Sequence, residues 1–278
     1  MRLATLRTAS GTVAVRVDAD ALVEIPGAPD VGALLQDPDW SKRAADAAGG
    51  RHAAADVLPD AWAPVVPSPG KIICVGLNYR NHILEMGREL PEFPTLFAKY
   101  PEALIGAYDD LVLPAAAADA VDWEAELAVV VGRSARNVDE AAAADAIAGY
   151  SIMNDVTMRD YQYRTPEWFQ GKTFEGTAPF GPVLVTADEF TLGASLRGEV
   201  DGEVVQQVST DDLVFNPAAL VSYISHILTL KPGDVIATGT PGGVGHARKP
   251  PRYLSAGSTL LTAVEGIGEL RNRVVAEG

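Results

Sequence analysis

Residues 122–132 read Asp-Trp-Glu-Ala-Glu-Leu-Ala-Val-Val-Val-Gly, and this stretch carries the strongest fold signal in the chain. Its run of three valines before a glycine is typical of a strand buried on both faces. Side chains alternate along a strand, so Glu124 and Glu126 are predicted to share one face. A solvated strand face is the ordinary explanation of such a pair. The apolar continuation favours burial, and two buried carboxylates repel each other unless a cation or a proton lies between them.

Short apolar runs outnumber helical patterns on both sides of this strand, which predicts a β-rich α+β fold. Asp139 predicts the N-terminus of a helix that runs to about Ala148. Asn216-Pro217 predicts the start of another that runs to about Leu228. Asp201-Gly202 predicts a two-residue hairpin turn. The strands predicted after residue 70 are 71–76, 111–113, 126–131, 150–154, 183–185, 235–238 and 260–264.

A proline cluster at Pro59, Pro64, Pro67 and Pro69 divides the chain. Before it, apolar residues alternate in short bursts over 3–25, which predicts a small β-meander, and the alanine-rich segment 31–58 predicts one or two helices. We therefore predict a small N-terminal α+β domain over residues 1–65 and a larger domain over residues 70–278.

The charge balance excludes some classes of partner. Twenty-two Lys and Arg residues against thirty-seven Asp and Glu residues give a formal net charge of −15, the wrong sign for binding nucleic acid or an anionic membrane. The one cysteine, Cys74, lies in a buried-strand pattern and is expected to be inert core. No apolar run approaches the about 18 residues of a membrane span, and residues 1–7 lack the apolar core of a secretion signal. We predict a cytoplasmic protein.

A third carboxylate, Asp155, directly follows the predicted strand 150–154. With Glu124 and Glu126 it would form a set of oxygen ligands without Cys or His, which suits Mg²⁺ or Mn²⁺, and also Ca²⁺, better than zinc or copper. Strand pairing has to bring the three together, and the sequence does not show that pairing.

His82 and Glu85 follow the predicted strand 71–76 and are three residues apart. In a helical turn they share one face, where the carboxylate raises the basicity of the imidazole and makes it a general base for a water. A surface helix with solvated charges explains the spacing as well. Position directly after a strand favours a functional site, because such loops commonly carry one.

Lys172 and the loop 238–245 are candidates for anion binding. Lys172 follows Gly171 and is able to hold a substrate carboxylate or an oxyanion, although a lone loop lysine is usually just exposed. The Gly-rich loop 238–245 lacks the Gly-Lys-Ser/Thr ending of a phosphate loop, so its backbone amides are expected to bind a carboxylate instead.

Several motifs, in this order and spacing, resemble the fumarylacetoacetate hydrolase family over roughly residues 70–275. They are 74–79 with His82 and Glu85, 122–127, 154–160, 171–174, and 231–234 running into 238–241. Each motif alone is weak, and together they are specific at family level. The first 65 or so residues resemble the short N-terminal domain of the bacterial branch that contains acylpyruvases and 2-hydroxyhepta-2,4-diene-1,7-dioate isomerases.

The resemblance implies a mixed β-roll fold, a homodimer, and Mg²⁺ or Mn²⁺ held by residues matching Glu124, Glu126 and Asp155. It implies that His82 and Glu85 activate a water and that Lys172 stabilises an oxyanion. Five residues match the family's substrate-binding positions: Tyr79, Arg159, Gln162, Gly239 and Thr240.

The substrate class that the resemblance implies is a small 2-oxo acid of aromatic or 2-oxo acid catabolism. The expected reaction is hydrolysis of the carbon–carbon bond of an acylpyruvate such as fumarylpyruvate, with a cation stabilising the pyruvate enolate. Oxaloacetate decarboxylation and isomerisation of a hydroxymuconate-type diacid stay open, because the same site supports them. A non-catalytic metal-stabilised binding protein is the alternative of another class, and the presence of both His82 and Glu85 argues against it.

Overall fold

The computed structural model describes residues 1–85 and 87–278, and the side chain of Glu85 also lies outside the description. The strands are β1 (Arg2–Thr8), β2 (Gly11–Val17), β3 (Ala21–Glu24), β4 (Arg51–Ala53), β5 (Ile72–Gly76), β6 (Thr95–Lys99), β7 (Leu104–Ile105), β8 (Leu111–Leu113), β9 (Val121–Asp122), β10 (Ala125–Val131), β11 (Ile147–Asn154), β12 (Thr157–Met158), β13 (Ala178–Thr186), β14 (Ser195–Val200), β15 (Glu203–Ser209), β16 (Val235–Ala237), β17 (Thr259–Val264) and β18 (Gly268–Ala276). The α-helices are α1 (Val31–Leu35), α2 (Trp40–Ala45), α3 (Arg80–Glu85), α4 (Glu140–Asp145), α5 (Arg159–Gln162), α6 (Phe169–Lys172) and α7 (Pro217–Ile227).

Strand β10 lies inside a large mixed sheet. The strand order of that sheet is β4-β3-β2-β1-β13-β11-β10-β16-β5-β6, and β7 pairs with β13. A second sheet has the order β15-β14-β17-β18-β8, and β12 pairs with β9. β10 is antiparallel to β11 and β16, whereas β16 and β5 are parallel. The predicted β-rich α+β class is confirmed.

Side chains of β10 alternate between the two faces of the sheet and join three apolar clusters. Leu127 packs in one apolar cluster with Ile152 and Leu196, and Val130 packs in another with Phe180. All seven residues of the strand are buried, so the sheet excludes water from both of its faces here. This confirms the burial that the valine run predicts.

The N-terminal strands continue the central sheet. β1 pairs antiparallel with β13, with Leu3 opposite Leu184, and Leu3 packs in the same apolar cluster as Phe180. The predicted meander is present as β1 to β3, and α1 and α2 follow in the alanine-rich segment. The division of the chain between residues 65 and 70 stays a prediction.

The predicted starts of α4 and α7 are confirmed, and the predicted end of α4 is wrong. Asp139 and Asn216 cap α4 and α7 by accepting hydrogen bonds from backbone amides. α4 ends at Asp145 rather than Ala148, because residues from Ile147 onward pair with β10. The hairpin turn at Asp201-Gly202 is confirmed between β14 and β15. Strands β6 and β18 were not predicted from the sequence.

Cys74 lies in β5 and is fully buried and free, as expected. Burial raises the pKa of its thiol, which keeps the sulfur protonated and unreactive. Across residues 1–85 and 87–278, no helix has the length and apolar character needed to cross a membrane.

Candidate active site

The pairing of β10 with β11 brings Asp155 to Glu124. Ala125 lies opposite Asn154, and the amide of Asp155 donates to the carbonyl oxygen of Glu124 at 2.9 Å. Glu124, Glu126 and Asp155 each place one carboxylate oxygen within 4.8 Å of the others. Their exposed fractions are 7%, 1% and 0%, which rules out a solvated strand face. The predicted convergence of the three carboxylates is therefore confirmed.

Two buried lysines contact this cluster. Lys172 Nζ lies 2.6 Å from Glu124 Oε2 and 3.0 Å from Asp155 Oδ2, and Lys99 Nζ lies 2.9 Å from Asp155 Oδ1. Burial alone would raise the pKa of Asp155, but the ammonium groups of Lys172 and Lys99 hold it below its usual value. Lys172 is thus a buried, ion-paired residue at the end of α6 rather than an exposed loop lysine.

Glu126 differs from its two neighbours, because none of the described cations forms an ion pair with it. Its Oε2 accepts a hydrogen bond from the Gly239 amide at 2.9 Å. Burial raises the pKa of Glu126 well above its usual value, and the negative charges of Asp155 and Glu124 raise it further. A carboxylate in these surroundings favours either a proton or an additional cation.

The donor set fits a hard divalent cation. The three converging groups offer only oxygen atoms, which Mg²⁺, Mn²⁺ and Ca²⁺ prefer. Asp155 Oδ1 is buried, and among the described ion pairs its one contact is Lys99 Nζ at 2.9 Å. It therefore retains lone-pair capacity for a ligand. Glu124, Glu126 and Asp155 are the residues that would hold the ion.

Arg159 and Gln162 lie on α5, a single helical turn after the β12 strand. Arg159 Nη1 lies 2.8 Å from Glu124 Oε1 and donates to Gln162 Oε1 at 2.8 Å. The opposite edge of the guanidinium contacts Asp122. Although burial opposes it, Glu124 and Asp122 raise the pKa of Arg159 above its usual value, so the group is permanently charged.

A cavity of about 340 Å³ lies beside the carboxylate cluster. Such a volume is at the lower end of the roughly 300–1,000 Å³ that is typical of small-molecule sites. Of the three carboxylates, Glu124 lines the cavity, whereas Glu126 and Asp155 are not among its described lining residues. His82 of α3, half-buried, lines the cavity wall, whereas the side chain of Glu85 lies outside the described part of the chain. The predicted site residues that line the cavity are His82, Glu124, Arg159, Gln162, Lys172 and Thr240.

Tyr79 and Gly239 lie elsewhere, and their predicted substrate-binding roles stay predictions. Tyr79 is fully buried and is not one of the described lining residues; burial raises the pKa of its phenol. The Gly239 amide faces Glu126, and its φ of 101° is a conformation that favours glycine. Thr240 donates through its hydroxyl to the carbonyl oxygen of Ala125 at 3.1 Å.

Sequence reasoning missed several residues of the site. Lys99 and Asp122 are buried charges in contact with predicted site residues, and Phe97, Trp168 and His246 line the cavity. Lys99 is the last residue of strand β6, which was not predicted from the sequence. His246 has no ligand spacing to another histidine, and only its place just after the Gly-rich loop was a signal.

Comparison with known proteins extends these observations. Residues 71–275 match the sequence profile of the fumarylacetoacetate (FAA) hydrolase C-terminal domain. The mitochondrial oxaloacetate tautomerase Fahd2a of Rattus norvegicus is 41% identical over 215 residues, which is 76% of this chain and 68% of the rat protein.

Solved structures match over the whole chain. The 2-hydroxyhepta-2,4-diene-1,7-dioate isomerase of Mycobacterium marinum is 32% identical, with a TM-score of 0.81, covering 100% of this chain and 99% of that one. The maleylpyruvate hydrolase of Sphingobium sp. SYK-6, solved with manganese(II) and pyruvate, is 29% identical with a TM-score of 0.82 and full coverage of both chains. The fold, the converging carboxylates and these matches show that the chain belongs to the fumarylacetoacetate hydrolase family of enzymes and resembles its bacterial isomerase and acylpyruvate hydrolase branch.

Proposed function

We propose that this chain is a divalent-metal-dependent hydrolase that cleaves the carbon–carbon bond of an acylpyruvate such as fumarylpyruvate. The convergence of Glu124, Glu126 and Asp155, with Glu124 lining the cavity, is the observation that carries this proposal. Mg²⁺ or Mn²⁺ bound there would stabilise negative charge on the oxygens of the 2-oxo acid while the bond breaks. Manganese and pyruvate in the maleylpyruvate hydrolase structure support both the ion and the substrate class.

The chain's own residues would perform the remaining steps. Arg159 and Gln162 hold the carboxylate end of the substrate, because both side chains line the cavity and contact each other. His82, supported by Glu85, takes a proton from water, and the resulting hydroxide adds to the carbonyl carbon of the acyl group. Lys172 stabilises the oxyanion. The carbon–carbon bond then breaks, and the departing three-carbon fragment takes up a proton to give pyruvate beside the free acid.

Turnover of fumarylpyruvate tests the proposal. Purified enzyme with Mg²⁺ or Mn²⁺ should produce fumarate and pyruvate in equal amounts, and excess EDTA should abolish the reaction until metal is restored. His82→Asn should lower kcat roughly 100- to 10,000-fold, the usual contribution of a general base. His52→Asn is the matched control, because His52 pairs with Glu24 outside the cavity. Full activity in excess EDTA would overturn the proposal.

Proton transfer without hydrolysis is the second candidate. The 41% identity to the rat oxaloacetate tautomerase and the likeness to the M. marinum isomerase favour it. The same base would move a proton on a 2-oxo diacid and no water would add; oxaloacetate decarboxylation would also need no water. Product analysis with oxaloacetate separates these outcomes: interconversion of keto and enol forms indicates a tautomerase, and release of carbon dioxide with pyruvate indicates a decarboxylase. Either product, with fumarylpyruvate untouched, would replace the hydrolase proposal.

We propose in addition that the enzyme is a cytoplasmic homodimer. The dimer follows from the family likeness, and a cytoplasmic location is supported by the lone buried cysteine, which suits a reducing compartment. Light scattering at micromolar concentration should give a mass of twice 29.3 kDa. A monomeric mass would contradict the dimer.

A further inference from the structure

Asp122 is a buried carboxylate with 0% exposure to which the proposed mechanism assigns no step. Its Oδ1 accepts hydrogen bonds from the amides of Gly245 at 2.7 Å and Trp123 at 2.9 Å. Its Oδ2 accepts from the His246 amide at 2.9 Å and from Arg159 Nε at 2.8 Å, and Arg159 Nη2 is also 2.8 Å away. The carboxylate therefore joins one buried guanidinium to two consecutive amides of a loop.

Two of the residues that bind Asp122, Arg159 and His246, line the cavity. Arg159 lines it and reaches Glu124 and Gln162 through Nη1, while His246 lines it from an exposed position. Asp122 holds the Nε and Nη2 edge of the guanidinium, which leaves Nη1 in contact with Glu124 and Gln162. The loop approaches closely: a Cβ on Gly245 would overlap the carbonyl oxygen of Arg252 and lie 2.8 Å from Asp122 Oδ1.

We propose that Asp122 is a positioning residue that fixes the orientation of Arg159 and holds the segment 245–247 next to the Arg159 guanidinium at the edge of the cavity. This inference rests on the proposed function, because it assumes that Arg159 binds the substrate. An arginine side chain that is free to rotate loses conformational entropy on binding an anion, and a guanidinium already held on one edge loses much less. Asp122 thus affects substrate binding through Arg159 without touching substrate.

The substitution Asp122→Asn keeps the size of the side chain and removes its charge. We expect KM for the substrate to rise roughly 10- to 100-fold, the range for losing a charge-assisted hydrogen bond, with kcat changed less than about threefold. Asp234→Asn is the matched control: Asp234 is 1% exposed, pairs with Lys71 and accepts from the Lys231 amide, and does not line the cavity. Both variants should lose thermal stability, but only Asp122→Asn should raise KM.

A double-mutant cycle separates positioning from a merely structural role. If Asp122 acts through Arg159, then Asp122→Asn adds nothing to Arg159→Met, and the double variant has the KM of Arg159→Met alone. Independent, multiplicative effects on KM would overturn the proposal. If Asp122→Asn does not fold, Arg159→Lys tests the same contact. Lysine keeps the positive charge but lacks the paired Nε and Nη2 atoms that bind Asp122. An unchanged KM in that variant would also overturn it.

Calorimetry of pyruvate binding in the presence of Mn²⁺ distinguishes the failure of this inference from the failure of the proposed function. If the wild-type enzyme cleaves no acylpyruvate, the hydrolase proposal fails, yet a pyruvate affinity roughly 10-fold or more weaker in Asp122→Asn than in Asp234→Asn would still support positioning. Equal affinities in the two variants, or no pyruvate binding by wild-type protein, would overturn the positioning role.

Discussion

At the scale of single residues, Glu126 and Lys99 have opposite effects on the charge of the site. Glu126 is a buried carboxylate whose pKa is raised by burial and by its acidic neighbours. Lys99 contributes a buried ammonium that pairs with Asp155 and donates to the carbonyl oxygen of Lys172. Removing either one therefore changes the affinity for a cation, in opposite directions.

We expect Glu126→Gln to weaken Mn²⁺ binding more than roughly 100-fold. Losing a residue that only supports a metal ligand costs roughly 10- to 100-fold, and here a proposed ligand itself loses its charge. Folding stability without metal should be unchanged or higher, since no described cation loses an ion pair. Isothermal titration calorimetry and thermal denaturation check both parts. Glu199→Gln, which removes a carboxylate paired with Arg197 outside the cavity, should leave Mn²⁺ affinity unchanged.

Lys99→Met should destabilise the metal-free protein by about 3–5 kcal/mol, the usual cost of removing one partner of a buried ion pair. Mn²⁺ should raise its Tm by more than it raises that of the wild type, because Asp155 is then freer to bind the ion. Lys71→Met offers a comparison, since it breaks the ion pair with Asp234 away from the site. A metal-induced shift equal to that of wild type would contradict this account of Lys99.

The residues predictable from sequence are those whose neighbours are local. Alternation along one strand predicts that Glu124 and Glu126 point the same way, and the family motifs add Asp155. Lys99 was unpredictable because its contact with Lys172 joins residues 73 positions apart and depends on β6 and α6 packing together. Such long-range pairing leaves no spacing pattern in the sequence.

At the scale of elements, helix starts were predicted better than helix ends. Asp139 and Asn216 are caps whose chemistry is local, so the sequence contains all the information needed. The end of α4 depends instead on the register of β10 and β11, where Val131 lies opposite Ile147. Tertiary pairing overrides the helical preference of the alanines there.

The cap of α7 gives a test at this scale. Asn216→Ala should cost about 0.5–2 kcal/mol of folding stability, because the Ala219 amide loses its acceptor. With roughly 2–4 °C per kcal/mol for a chain of this size, a drop of several degrees in Tm is expected in differential scanning calorimetry. Asn216→Asp keeps an acceptor oxygen and should stay close to wild type. An equal loss in both variants would argue against capping.

At the scale of the whole molecule, the site joins elements that are far apart in the sequence. The three converging carboxylates lie at β10 and after β11 in the central sheet, and Lys172 comes from α6. A bound ion would therefore stabilise the folded chain as a unit. At Mn²⁺ concentrations about 100-fold above Kd, linkage gives about 2.7 kcal/mol, which should raise Tm by roughly 5 °C or more. The Glu126→Gln variant should show little of this increase.

The buried thiol of Cys74 can report how often the folded core opens. The thiol of Cys74 is fully buried in the apolar cluster that contains Phe180, so a thiol-reactive dye reaches it only when that part of the core opens. The rate of labelling in native buffer therefore measures the population of opened molecules, without denaturant and without an engineered probe. Because there is one cysteine in the chain, the signal is a single exponential of unambiguous origin. Added Mn²⁺ should slow labelling, and the same Mn²⁺ concentration should leave the labelling rate of Glu126→Gln almost unchanged.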